Sequence, residues 1–170
     1  MVGYRRNFLP GGTFFFTVTL RDRRATFLTD NIGLLRGATR AVRDKLSFEI
    51  VAVVVLPDHL HAVWKLPPGD TDYATRWRLI KSSFTKELNV VLPHTGSRPE
   101  SVWQSRYWEH TIRDDIDLQR HVEYVHWNPV RHGHVARAVD WPYSNIHRFV
   151  REGLLAADWG VRDVRGEFGE

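Results

Sequence analysis

The spacing of apolar residues changes several times along the chain, and each change marks an element. TFFFTVTLR (13–21), dense in β-branched and aromatic residues behind Gly11-Gly12, predicts a strand. Ile32, Leu35, Ala38 and Val42 then recur at helical spacing, so 29–46 reads as a helix capped by Thr29 or Asp30. EIVAVVV (49–55) is apolar on both faces, the pattern of a central, covered strand. The turn LPD leads into HLHAVWKL (59–66), its antiparallel hairpin partner. Beyond Pro67-Pro68-Gly69, one face of a helix over 71–88 carries Tyr73, Trp77, Ile80, Phe84 and Leu88, with a basic face opposite.

Residues 90–101 are turn-rich and read as a loop, and the aromatic content of 103–113 predicts a strand. DDIDLQRHVEYVHWN (114–128) predicts a helix with acids in its first turn, ended near Asn128 by Pro129. A turn and short helix follow over 141–153. The order β-α-β-β-α-β-α is that of an α+β fold on the ferredoxin-like split βαβ plan, an antiparallel sheet with helices packed mainly on one face. Residues 1–150 form one domain, and 151–170, where basic and acidic residues alternate, read as a solvated C-terminal tail.

Composition narrows the function classes. The 170 residues are 42% hydrophobic and 26% charged, ordinary for a globular domain. With no cysteine, disulfides, thiolate metal ligands and a thiol nucleophile are excluded, which fits a reducing cytoplasm. The longest apolar run, IVAVVVLP, falls far short of the roughly 20 residues of a membrane span. No targeting segment is read at the N-terminus. Lys plus Arg is 24 against 20 acids, a net charge of +4 compatible with a polyanionic partner.

The chemistry begins at PDHLH. Residues two apart in a strand share a face, so His59 and His61 point together, a pair suited to a divalent metal once a third group joins it. Alone, the pair also reads as two hydrogen-bonded strand histidines. Tyr124 and Asn128, four apart on the 114–128 helix, share a side offset by about 40° from one another. They lie off the apolar stripe of Leu118, Val122 and Val125. Alone, they read as a packing tyrosine and a helix-end residue. Together the two elements outline a reaction: His59, His61 and the Asn128 oxygen hold one ion against a phosphodiester, and Tyr124 attacks phosphorus.

PDHLH followed by YVHWNPVRHGHV closely resembles the single-tyrosine HUH transposases (His–hydrophobic–His), and within them is most similar to the bacterial REP-associated tyrosine transposases. WQSRYWEHTIRDDIDLQRHVEY and GGTFFFTVTLRDRR resemble the same group, so the likeness spans roughly residues 4 to 150. It implies a transposase domain over 1–150 that cleaves and rejoins single-stranded hairpin DNA through a 5′-phosphotyrosine. Mg²⁺ or Mn²⁺ is the implied cofactor, with His59, His61 and Asn128 as ligands and Tyr124 as nucleophile. Asparagine rather than the glutamine of the insertion-sequence branch implies a monomer that recognises a hairpin with a short 5′ tetranucleotide foot. A bacterial cytoplasm, at the nucleoid, is the implied location.

DNA contacts are expected from Arg5, Arg6, Arg21, Arg23, Arg24 and Arg131 at phosphates. Tyr107, Trp108 and Trp127 are of the type that stacks on bases. His110, His121, His126, His132 and His134 crowd the same region, with His121, one turn before Tyr124, favoured for proton transfer. Three rivals stand beside this reading. A two-histidine phosphoesterase needs a second such motif, which the chain lacks. An RRM-like nucleic-acid-binding module has no need of HLH, and a catalytically inactive hairpin-binding relative would not need all four chemical residues.

Overall fold

The computed structural model of the chain describes residues 8–92 and 101–161. The expectations for Arg5, Arg6, most of the 90–101 loop and the last part of the tail fall outside them. The strands Thr13–Thr19 (β1), Glu49–Val55 (β2), His59–Lys65 (β3) and Trp108–Thr111 (β4) form one antiparallel sheet ordered β2-β3-β1-β4. The helices are Phe27–Asp30 (α1), Ile32–Lys45 (α2), Tyr73–Val91 (α3), Asp115–Arg131 (α4) and Ile146–Arg151 (α5). Apart from the short α1, the chain through β4 runs β-α-β-β-α-β, the ferredoxin-like plan. Among the described residues no helix is long and apolar enough to cross a membrane.

Strand alternation sorts the core into two layers. Phe14, Phe16, Val18, Leu60, Ala62 and Trp64 point under α2 and α3, where they meet Leu35, Val42, Tyr73, Trp77 and Phe84. Trp64 stacks on Trp77 with ring centroids 4.0 Å apart. The opposite face carries Phe15, Ala52, Val54 and Val63, and α4 covers it through Val125, with Leu118 and Val122 beside it. Two of the three long helices therefore share one face, and α4 is added on the other. A third small cluster of Val130, Ala138 and Ile146 gathers Leu155 and Trp159, so the stretch that follows α5 folds back against α4.

The helix expected over 29–46 is two, Phe27–Asp30 and Ile32–Lys45, with Asn31 and not Thr29 or Asp30 before the long one, and the strand expected over 103–113 spans only Trp108–Thr111. Two larger expectations also need correction. EIVAVVV is an edge strand, not a central one. Its two-faced apolarity reflects the layers above and below it, and its open backbone is sealed by residues 141–148 instead of by another strand. Val55 N donates to Tyr143 O, Asn145 N to Val53 O, and Trp141 Nε1 to Val55 O. The Asn145 side chain completes the seal, accepting from Val53 N and donating to Val51 O. The second correction concerns α4, which runs through Pro129 to Arg131. Proline removes one helical hydrogen bond there, but it sits in the last turn, where burial of Pro129 and Val130 and the bonds His132 N to Asn128 O and His134 N to Pro129 O offset the loss.

Asn145 is the point where the edge seal can be tested. Replacing it by alanine strands the Val53 N–H, while Val51 O keeps its bond from Arg148 Nη2, so Asn145→Ala is expected to lower folding stability by about 1–3 kcal/mol. Urea unfolding of both proteins measures this, and a loss under about 0.5 kcal/mol would refute the seal as described.

Candidate active site

Because β3 is buried on both faces, committing Leu60, Ala62 and Trp64 to the main core sends His59 and His61 to the α4 side. The two residues are 6% and 4% exposed, and their ring centroids stand 5.1 Å apart. The β1 register places Thr17 opposite His61 and Thr19 opposite His59. Thr17 Oγ1 lies 2.8 Å from His61 Nδ1, and Asp58 Oδ1 lies 2.7 Å from His59 Nδ1. Each imidazole thus has Nδ1 engaged, and Nε2 is the nitrogen left for a ligand. A carboxylate or hydroxyl behind a histidine fixes the ring's tautomer and aim in this way.

The α4 helix brings the other two residues. Tyr124 is 36% exposed; its ring meets His61 edge-on at 5.2 Å and Phe15 at 5.9 Å. The Arg131 guanidinium stands 5.7 Å from the Tyr124 ring centre, a cation-π distance. Asn128 is completely buried, deeper than a helix-flank position suggests, and neither its Oδ1 nor its Nδ2 has a hydrogen-bond partner. A buried amide left unmatched beside the His61 imidazole costs stability and marks a place where a ligand fits. The donor set of two imidazole nitrogens and one amide oxygen suits a divalent ion.

The electrostatics keep the site ready for such a ligand. Burial, reinforced by the neighbouring His59 and His132 rings, pushes the His61 pKa down to about 3, against a weaker upward pull from the nearby Asn128 amide. His61 is therefore neutral. Burial pushes the Asp58 carboxyl up, but hydrogen bonds from His59 and Arg23 outweigh it and hold Asp58 below the usual carboxylate range. Arg23 thus serves behind the metal-ligand candidates through Asp58. Of the other predicted arginines, Arg24 pairs with Asp22 on the surface and Arg21 is exposed beside it.

Sequence reasoning missed Thr17 and Asp58, and placed His132 only within a crowd of histidines. The His132 ring lies edge-on to His59 at 5.3 Å. Sequence reasoning also treated His110 and His121 as a loose crowd, whereas they converge on Asp117. Ligand-type atoms of His110, Asp117 and His121 lie within 4.8 Å of one another. The two rings are stacked, however, 4.6 Å apart and 15° from parallel. Ring lone pairs lie in the ring plane, so near-parallel stacking aims them side by side instead of at one point. Asp117 Oδ2 already accepts from the backbone N–H and Nε of Arg113 and pairs with His110. Those bonds hold its carboxyl well below the usual range despite burial. The cluster is a clamp that ties β4 to the first turn of α4 and so fixes where Tyr124 emerges. His121 Nδ1 is bonded to Asp117 O at 2.8 Å within that clamp.

Trp127, one turn beyond Tyr124, lines a recess of about 440 Å³ with Arg120, Glu123, Tyr124, Trp159 and Gly160. Trp108 is 58% exposed on the edge strand, and Tyr107 lies under the Lys81 ammonium. His126 is buried against Asn145, and His134 stacks near Trp141, so both belong to the packing behind α4.

Comparison with known proteins places this geometry among relatives. The family model described as "Transposase IS200 like" matches residues 14–128. A REP-associated tyrosine transposase of Escherichia coli (strain K12) is 46% identical over 159 residues, 94% of this chain and 91% of that protein. A relative from Haemophilus influenzae is 42% identical over 165 residues, 94% of each chain. A solved structure of a REP-associated tyrosine transposase bound to a REP hairpin superposes with a TM-score of 0.86 at 43% identity, covering 100% of this chain and 99% of that one.

The buried imidazoles set a pH dependence. His61 is held to about 3, and burial pushes His126 down to about 4, whereas both return to near 6.5 when the chain unfolds. The unfolded state then binds more protons, so this contribution to stability is complete above about pH 6.5 and is lost as pH falls toward 4. Urea midpoints measured on the metal-free protein are expected to fall between pH 7 and 4.5, and to fall less in His126→Gln. A midpoint independent of pH across that range would contradict the burial of these rings as neutral groups.

Proposed function

The chain belongs to the IS200-like transposase family, and on that premise we propose that it is a metal-dependent single-strand DNA endonuclease and strand transferase that works through Tyr124. The observation that carries this reading is the meeting of Tyr124 with His61 over a buried, unmatched Asn128 amide. His59 and His61 through Nε2, with Asn128 through Oδ1, would hold Mg²⁺ or Mn²⁺. When bound, the ion supplies Lewis-acid polarisation of the scissile phosphate.

The chain's own residues do the rest. The Tyr124 oxygen attacks phosphorus, its proton leaves, and the bond from phosphorus to the 3′ oxygen breaks. The products are a 5′-phosphotyrosine and a free 3′-hydroxyl once the leaving oxygen takes up a proton. Attack by a second 3′-hydroxyl on the phosphotyrosine reforms a phosphodiester and returns the phenol. With an ordinary pKa near 10, a phenol is a poor nucleophile at neutral pH, so local positive charge helps. Arg131 beside the ring supplies some of it.

The substrate is a DNA hairpin with a short 5′ single-stranded foot, in keeping with the hairpin bound by the solved relative. Phosphate contacts fall to Arg21, Arg23, Arg24 and Arg131 among the described residues, and to Arg5 and Arg6. The Trp127 recess takes an unstacked base beside the scissile phosphate. Tyr124 and both histidines come from one chain, so a monomer holds a complete site. Residues 1–150 are the catalytic domain and 151–170 a tail whose first part props α4. Acting on chromosomal DNA, the protein works in the cytoplasm at the nucleoid.

Two experiments test this. Wild-type protein incubated with labelled hairpin DNA and Mn²⁺ is expected to give an adduct that survives a denaturing gel, and Tyr124→Phe is expected to give none. An adduct with the phenylalanine variant would remove Tyr124 from its role; hairpin binding without any wild-type adduct would favour the inactive relative. The double change His59→Ala with His61→Ala is expected to lower cleavage by at least about 100-fold, as is EDTA, while hairpin affinity stays within a few-fold. Cleavage that persists under either treatment would refute the role of the ion.

A further inference from the structure

A second recess lies on the far side of β1 from the histidine pair. It is a groove of about 670 Å³ between α3 and residues 101–107. On the α3 side, Thr75, Arg78, Ser82, Lys86 and Asn89 follow one another at spacings of three and four, opposite the helix face that carries Trp77, Ile80 and Phe84 into the core. The strip runs for about 21 Å at 1.5 Å per residue. Among the described residues no carboxylate lines the groove. Neither Arg78 nor Lys86 forms an ion pair among the described residues, and both are exposed.

The groove is built, not incidental. Trp103 Nε1 donates to Lys81 O and Lys81 Nζ donates to Gln104 O, so its two walls are fastened together. Phe84 packs edge-on to Trp103 beneath the floor. The 101–107 wall is also continuous with the candidate active site: Leu20 bridges Trp103, Gln104 N donates to Thr19 O, and Thr19 is the register partner of His59. One strand therefore separates the groove wall from the histidines.

Cationic heads spaced along a helix, interleaved with hydroxyl and amide donors and free of acids, form the chemistry that holds successive phosphates without reading bases. We propose that this groove is a phosphate-backbone track for the same DNA whose scissile phosphate lies at Tyr124, an inference that rests on the reading of the protein as a DNA transposase. Phosphates of the paired stem or of the unpaired foot present the same chemistry to it.

Fluorescence anisotropy with a fluorescein-labelled hairpin, a blunt duplex of the stem and a single-stranded foot oligonucleotide, each titrated at several salt concentrations, tests the track. Arg78→Ala with Lys86→Ala is expected to weaken hairpin binding about 10-fold and to reduce the slope of log K against log salt by about 1.5–2. The matched loss of two charges on α2, Arg36→Ala with Arg40→Ala, is expected to change the slope by less than about 0.5. The same slope reduction with the duplex assigns the track to the stem, and with the oligonucleotide to the foot. An unchanged slope in the groove variant, or an equal change in the α2 variant, overturns the proposal. The covalent-adduct assay on wild-type protein answers the separate question: a missing adduct with a groove-dependent slope sinks the Tyr124 reading and leaves the track standing.

Discussion

Side-chain alternation along β3 is the constraint from which the rest of the structure follows. Leu60, Ala62 and Trp64 are held in the core under α2 and α3, with Trp64 stacked on Trp77. A strand buried on both faces has no third direction, so His59 and His61 must face α4. Slipping the register by one residue would drive both imidazoles into the aromatic core and Trp64 under α4, and every cross-strand partner would change with it. The cost of misplacing Trp64 is thus what keeps the histidines in place. The histidine pair inherits the rigidity of the core on its reverse side.

On the second face the same logic passes to α4. Val125 is fully buried against Ala52, Val54 and Val63, and that contact sets the helix's rotation. With Val125 pointing down, Tyr124 emerges at the rim and Asn128 is carried into the interior beneath it. The Asp117 clamp fixes the start of α4, while Pro129 and Val130 fix its end. Asn128 is the residue that this arrangement leaves worse off. A buried amide with no partner costs roughly 1–3 kcal/mol per unmatched group. The packing that orients Tyr124 carries that cost, and an ion bonded to Oδ1 would offset part of it.

What could be read in the sequence, and what could not, divides along physical lines. Helix α3 was legible because Tyr73, Trp77, Ile80, Phe84 and Leu88 keep an unbroken helical period. The histidine pair and the Tyr124/Asn128 pair were legible as pairs because each is fixed by local geometry, two residues in a strand and four in a helix. The edge position of β2 was not, because an apolar pattern on both faces reports what lies above and below a strand and nothing about its sides. The seal comes from Asn145, some 90 residues away, which local pattern cannot reveal. Thr17 and Asp58 escaped for a related reason. Thr17 acquires meaning only once β1 and β3 are paired in one particular register. Pro129 misled because its rule describes an isolated helix, whereas this one is held by the burial of its last turn.

The supports behind the two imidazoles are unequal, and the inequality has a physical consequence. His59 is backed by a carboxylate, and that carboxylate is itself tied to Arg23. His61, more deeply enclosed between Phe15 and Tyr124, is backed only by the Thr17 hydroxyl. A second carboxylate behind His61 would stabilise a proton on that ring and set it against any cation at Nε2. A hydroxyl fixes the ring's aim without that charge. The more exposed partner can carry the anionic support because Arg23 balances it. Both rings are consequently oriented when the chain folds, so little ordering is left for the moment when a ligand or phosphate arrives.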